Sequence, residues 1–196
     1  VFANRFTALV DACSLVGALN RNLLLTLADA AFYRVRWSAP ILDETERAIG
    51  RILTHKGTPD ASERATRARQ GMEKAFEEAM VEDFDTFLCV CSGLPDQGDA
   101  HVLAAALKTR AQTIVTENMR HFPATVLEPF DLEARSSDAF LADTIELDPG
   151  RAVAAIRRMR ERMRKPEKTP AVLLRDMEAV GLVETVGVLR SYEASL

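Results

Sequence analysis

Over residues 6–130 short apolar runs alternate with longer helix-period segments, and that alternation leaves few folds open. A run of five or six apolar residues has the length of a buried strand and is too short to sustain a helix alone. FTALV (6–10), FYRVRW (32–37), TFLCVC (86–91) and QTIVT (112–116) have this form. Residues 125–130 can add a fifth strand at an edge. Between these runs, residues 15–31, 40–55, 61–80 and 99–109 carry helical periodicity. Ser38 is placed to cap the second of these helices, Pro40 fits its first turn, and Lys56-Gly57 stops it. Strands separated by helices pair in parallel through crossovers, so an α/β fold with a central parallel sheet of about five strands is expected.

The character changes at about Glu133. Residues 136–147, 149–165, 169–180 and 182–194 read as four helices, punctuated by Pro166, Pro170 and Gly181. The expected organisation is a sheet domain over 1–132 and a helical extension over 133–196 packed on it. A chain of 196 residues buries enough core to need no disulfide or structural metal. Its three cysteines, Cys13, Cys89 and Cys91, are odd in number, and Cys89-x-Cys91 lacks a second ligand pair. Buried, reduced thiols in a cytosolic protein are the expectation. No apolar run reaches the length of a membrane span, and the first residues lack a signal-peptide pattern.

A net charge of -4 excludes a globally basic nucleic-acid binder. Basic residues are nevertheless clustered. Arg151, Arg157, Arg158, Arg160, Arg162, Arg164 and Lys165 form one group, and Arg64, Arg67, Arg69 and Lys74 a weaker one. Such groups serve as solvated helix faces, as docking surfaces for acidic partners, or as local patches that steer RNA.

Four polar positions fall near the carboxyl ends of strands, where an open parallel sheet places its ligands. Asp11 ends the first strand. Glu44 stands one helical turn beyond the second. Asp99 follows the third, and Asn118 follows the fourth, with Thr116 at that strand's last position. Periodicity in the helix leaves both Glu44 and Glu46 as candidates, one at each edge of the stripe Ile41, Thr45, Ala48, Ile49 and Ile52. Three carboxylates and an amide suit a hard divalent cation, Mg²⁺ or Mn²⁺, and without one they raise each other's pKa values. Each position also has an ordinary use. Asp99 can cap a helix, Asp11, Asp96 and Asn118 can form turns, Glu44 can be a solvated first-turn acid, and His121 suits the surface.

The segments TALVDACSL, SAPILDETERAI, LPDQGDAHVLAAAL and TIVTENMRHFP resemble, in order and spacing, the PIN domain, the nuclease fold of VapC-type toxins in bacterial toxin–antitoxin pairs. The resemblance covers about residues 5–130 and selects Glu44 over Glu46 through the pattern Ser-x-x-Ile-x-x-Glu. It implies a three-layer PIN-like fold and a cytoplasmic, metal-dependent endoribonuclease. Asp11, Glu44 and Asp99 would hold Mg²⁺ or Mn²⁺, assisted by Asn118, where many members carry aspartate. Thr116 would support the site and Arg120 would meet a phosphate of the RNA substrate. The resemblance also implies an antitoxin partner and pairing as a homodimer. The C-terminal stretch TPAVLLRDMEAVGLVETVGVLRSY resembles the helical extension of one subset of VapC-like proteins.

Asn118 keeps open an alternative, a catalytically weak or inactive PIN-like protein that binds RNA or a partner. A haloacid-dehalogenase-like phosphatase would want a second acid where Cys13 stands. A nucleotide-binding Rossmann domain would want a glycine-rich turn after Asp11, where Gly17 stands alone. A DNA 5′-nuclease shares the metal logic and is separated only by its substrate.

Overall fold

The computed structural model describes residues 6–164 and 166–196. Five strands, β1 (Thr7–Val10), β2 (Arg34–Ser38), β3 (Met80–Val81), β4 (Thr113–Val115) and β5 (Glu133–Arg135), form a sheet of order β3-β2-β1-β4-β5. All neighbours are parallel. β1 is central and buried on both faces, as a parallel sheet covered by helices requires. Its register with β4 matches Leu9 to Ile114 and Val10 to Val115, so both strands end side by side. The next residues, Asp11 and Thr116, are thereby made neighbours.

The helical span expected over 15–31 is two helices, α1 (Ala12–Val16) and α2 (Ala18–Asp29), divided where Gly17 takes an extended conformation. α3 (Ala39–His55) and α4 (Ala61–Ala75) follow β2. The Ser38 hydroxyl is buried without a partner and makes no cap bond, so α3 starts on Pro40 in its first turn alone. α3 buries Ile41, Leu42, Thr45 and Ile49, while Ile52 is exposed. α5 (Ala100–Thr109) lies buried against the sheet through Val102 to Ala106.

Two expected strands are not strands. Residues 86–90 lie in a 3₁₀ segment, Asp85–Val90, in which Leu88, Cys89 and Val90 are exposed; of the expected run only Cys91, just past the segment, is buried. The place beside β2 is taken instead by β3, with Met80 opposite Trp37 and Val81 opposite Ser38. Tertiary context overrides the strand propensity of an apolar run that finds no face to bury. Cys89 is therefore exposed and Cys13 half-buried, so only Cys91 is the buried thiol expected. Residues 125–130 form α6 (Ala124–Leu127) and a 3₁₀ turn, Glu128–Phe130. Pro129 cannot donate to a ladder, and the edge position passes to β5, a polar triplet with no apolar signature.

The C-terminal helices are α7 (Ser137–Leu147), α8 (Pro149–Arg162), α9 (Pro170–Ala179) and α10 (Val183–Leu189), closed by a 3₁₀ segment, Arg190–Ser195. Ser136, Asp148 and Thr169 cap the first three by accepting from Ala139, Arg151 and Val172 amides. Asp138 accepts the Glu184 and Thr185 amides at 2.8 Å each, tying the start of α10 to α7. The arginine-rich α8 packs on α2, α7 and the C-terminal 3₁₀ segment and buries Ala152, Val153, Ala155, Ile156 and Met159. Several of its arginines are used internally. Arg151 lies over the Phe32 ring at 4.1 Å, Arg157 pairs with Glu161, and Arg160 donates to the carbonyls of Lys168 and Leu196. Lys165, at the end of the expected helix, lies outside the described residues. No described helix is long and apolar enough to cross a membrane.

Phe140, Leu141, Ile145, Val153 and Ile156 belong to the same buried cluster as β1 and α5. Phe140 meets Tyr33 edge-on at 4.9 Å between ring centroids, and the Tyr33 hydroxyl donates to Leu24 O. Each such side chain contributes about 1.5–3 kcal/mol by burial, against a total stability of roughly 5–15 kcal/mol for a domain. A chain ending at Arg135 is therefore expected to lose its cooperative urea transition. A sharp two-state transition in that fragment, followed by circular dichroism, would contradict a shared core.

Candidate active site

Asp11 is only 4% exposed. Its Oδ1 accepts the Ala12 amide at 2.6 Å and caps α1. Its Oδ2 accepts from the Thr116 hydroxyl at 2.7 Å and from the Cys13 thiol at 3.1 Å. Burying a carboxylate is costly unless donors replace its water, and these three do so. The Thr116 oxygen also accepts the Asn118 amide at 3.0 Å. One hydroxyl thus joins the acid after β1 to the turn after β4. Cys13 completes the junction by accepting the Glu117 amide at 3.2 Å. Burial and the adjacent Asp11 charge push its thiol up to about 11, so it stays a neutral donor.

Asp99 ends a 3₁₀ turn, Gln97–Asp99, rather than following a strand. It heads α5 but makes no capping bond. Asp96 builds the turn by accepting the Gly98 amide at 2.8 Å, which is the turn role expected of it. Asp99 Oδ2 lies instead 2.8 Å from His121 Nδ1. His121 is therefore part of the site and not a plain surface residue. Burial lifts the Asp99 carboxyl above its ordinary value, His121 opposes the lift, and the charges of Asp11 and Asp96 add to it.

Glu44 Oε1 lies 3.2 Å from His101 Nε2, an approach too poorly aligned for a hydrogen bond, and both His101 ring nitrogens are shielded from water without one. Glu46 is committed elsewhere. It accepts from the Thr66 hydroxyl at 2.5 Å and pairs with Arg69 at 3.1 Å, and these two contacts hold its carboxyl below the usual range.

Asp11, Glu44, Asp99 and Asn118 line one cleft of ≈ 740 Å³ together with Cys13, Arg47 and Arg51. Thr116 lies behind Asp11, fully buried. Arg120 is exposed on the 3₁₀ turn Met119–His121 and is not among the lining residues. Sequence reasoning missed Cys13, Arg47 and Arg51, and it favoured the surface for His121. Helical spacing from Glu44 would have found the two arginines; nothing local points to the Asp99–His121 pair.

The donor set fits a hard divalent cation. Carboxylate oxygens from three separate elements face one cleft, and an amide from a fourth joins them. Asp96, Asp99 and His121 also offer ligand atoms within 4.8 Å of one another, a mixed set in which the imidazole suits Mn²⁺ better than Mg²⁺.

The architecture is a parallel α/β sheet beside which carboxylates from three separate elements gather in one cleft. The chain belongs to the PIN-domain family, whose description "PIN domain" matches residues 7–120; a second, "VapC50 C-terminal domain", matches residues 137–191. Among curated proteins, "Putative ribonuclease VapC50" of Mycobacterium tuberculosis (strain ATCC 25618 / H37Rv) is 42% identical over 76 residues, 39% of this chain. The match spans 45% of that relative's length. No solved structure matches the chain.

Two outcomes follow from the geometry. Thr116→Val keeps the side-chain shape but strips Asp11 and the Asn118 amide of one partner each, and is expected to cost about 1–3 kcal/mol in urea denaturation. Thr116→Ser should restore most of it; an unchanged midpoint in Thr116→Val would refute the role given to the hydroxyl. For Asp99 the folded state holds its proton more tightly than the unfolded chain does. Metal-free stability should therefore fall as pH rises from the unfolded value of about 3.9 through the raised folded value, and level off above it. His121→Ala removes the opposing bond, lifts Asp99 further and extends that window upward. Carbon-detected NMR titration of Asp99 checks this, and a value that stays or falls contradicts it.

Proposed function

We propose that this protein is a cytoplasmic, divalent-metal-dependent endoribonuclease of VapC type, restrained by a cognate antitoxin and acting as a homodimer. The observation that carries this reading is the convergence of Asp11, Glu44, Asp99 and Asn118 on one cleft. Family membership and the printed name of the relative support ribonucleic acid as the substrate. Residues 1–132 would form the nuclease unit and 133–196 the helical extension, with β5 counted in the sheet.

Asp11, Glu44 and Asp99 would hold Mg²⁺ or Mn²⁺, and Asn118 would add its amide oxygen. The cation supplies neutralisation of the phosphodiester charge and a more acidic water. The chain's own residues set the geometry. Thr116 and Cys13 fix the Asp11 rotamer, His121 orients Asp99, and the Thr116 hydroxyl, accepting the Asn118 backbone N–H, holds that residue's backbone beside the cleft. The reaction is hydrolysis: water adds to phosphorus, the P–O3′ bond breaks, and the 3′-oxygen leaves with a proton. A 5′-phosphate and a 3′-hydroxyl result.

Asp11→Ala and Asp99→Ala are each expected to abolish Mg²⁺-dependent RNA cleavage while circular dichroism shows a folded chain. Full activity in either variant, with Mn²⁺ affinity retained in calorimetry, sinks the site. Asn118 favours one second reading, a PIN-like binder that does not cut, because an amide leaves the cleft one charge short of an aspartate. Structured RNA incubated with the protein and Mn²⁺, with and without EDTA, separates the two.

A further inference from the structure

Arg47 and Arg51 line the acidic cleft, and they also line a second, larger furrow of ≈ 870 Å³ between α3 and α4. The two hollows thus share these two side chains as a common border on α3. Glu44, Arg47 and Arg51 stand at i, i+3 and i+7, a single stripe down that helix. Arg51 lies roughly 10 Å along the axis from Glu44. The stripe therefore runs from the carboxylates into the furrow, whose walls include the small side chains Gly50, Ser62 and Ala65.

Charge is sorted along this path. Arg69, also in the furrow, is neutralised by Asp43 at 2.5 Å, Glu46 at 3.1 Å and Glu73 at 3.0 Å. Those pairings consume the furrow's own acids. Among the described residues no carboxylate lies within ion-pair distance of Arg47 or Arg51. Arg47 uses only its Nε, on the Asp43 carbonyl at 3.2 Å. Two guanidinium groups with free donors thus stand directly beside an acid cluster that by itself repels a polyanion.

We infer that Arg47 and Arg51 grip successive backbone phosphates of a single-stranded RNA that runs from the Asp11–Asp99 cleft into the α3–α4 furrow. The inference rests on the ribonuclease reading above and names the substrate track of that site. Among the described residues no Phe, Tyr or Trp lines either hollow, and His55 is the one ring at the furrow, so these contacts offer little base stacking. Phosphate contacts position a strand without reading it. The grip is therefore independent of sequence, and any base preference arises elsewhere. Arg47 and Arg51 are positioning residues here.

The test is fluorescence anisotropy of two labelled single-stranded RNAs of different sequence in metal-free buffer, between about 50 and 200 mM salt. Arg47→Ala and Arg51→Ala should each weaken binding about tenfold, equally for both RNAs. Each should lower the slope of log affinity against log salt by about 0.7. Arg51→Lys should retain the slope, because it keeps the charge. Arg175→Ala and Arg190→Ala, both on the C-terminal helical region, serve as charge controls and should change little. Unchanged RNA affinity in the double variant, a loss confined to one sequence, or equal losses in the two controls overturns the inference. Unchanged RNA affinity accompanied by lost binding of an acidic peptide would reassign the arginines to a protein partner. Because the readout needs no cleavage, the two readings fail separately. A protein that binds through these arginines but never cuts RNA sinks the nuclease reading alone. A protein that cuts RNA with unaltered KM in the double variant sinks the track alone.

Discussion

A carboxylate buried at the end of the central strand is the constraint on which this structure turns. Asp11 sits at the carboxyl end of β1 with almost no access to water, so its charge is tolerable only if donors surround it. Thr116, Cys13 and the Ala12 amide provide them. The Thr116 bond demands that β1 and β4 end together, which their register satisfies. A one-residue slip would carry every side chain of β4 to the opposite face and leave Asp11 without its hydroxyl. Strand register and site geometry are therefore one requirement.

The C-terminal helices serve the same junction. Glu117, between Thr116 and Asn118, accepts the Ser137 amide at the start of α7 at 3.2 Å. Asn20 donates to both Ser14 O and Ser137 Oγ at 2.9 Å. The first turn of α7 is thus stitched to the loops that carry Asp11 and Asn118, above a core to which the extension contributes Phe140, Leu141 and Ile145. A helical region that reads as an appendage in sequence braces the turn beside the cleft.

Charge is partitioned by tertiary contacts rather than by composition. The arginine-rich α8 uses Arg151, Arg157 and Arg160 for internal contacts, and Arg69 is locked among three acids. Arg47 and Arg51 keep their ends free at the mouth of the cleft. These two unpaired cations lie outside the stretches where arginines cluster in sequence, separated only by the helical repeat.

The sequence by itself determined the parallel α/β class, the buried strands β1 and β4, the helical C-terminus and the four polar positions at strand and helix ends. Those features come from local residue type and periodicity, which dictate which faces must be buried. It did not determine β3 or β5, because a two- or three-residue edge strand has no apolar pattern and is chosen by the free edge beside it. It left Glu44 and Glu46 equivalent by periodicity; Thr66 and Arg69 on α4 separated them. It showed Asp99 as an acid at a helix start, but its partner His121 lies 22 residues on, across the fold. Asp11 and Thr116 are 105 residues apart. Such pairings are made through space by the register of the sheet, and no local pattern encodes them.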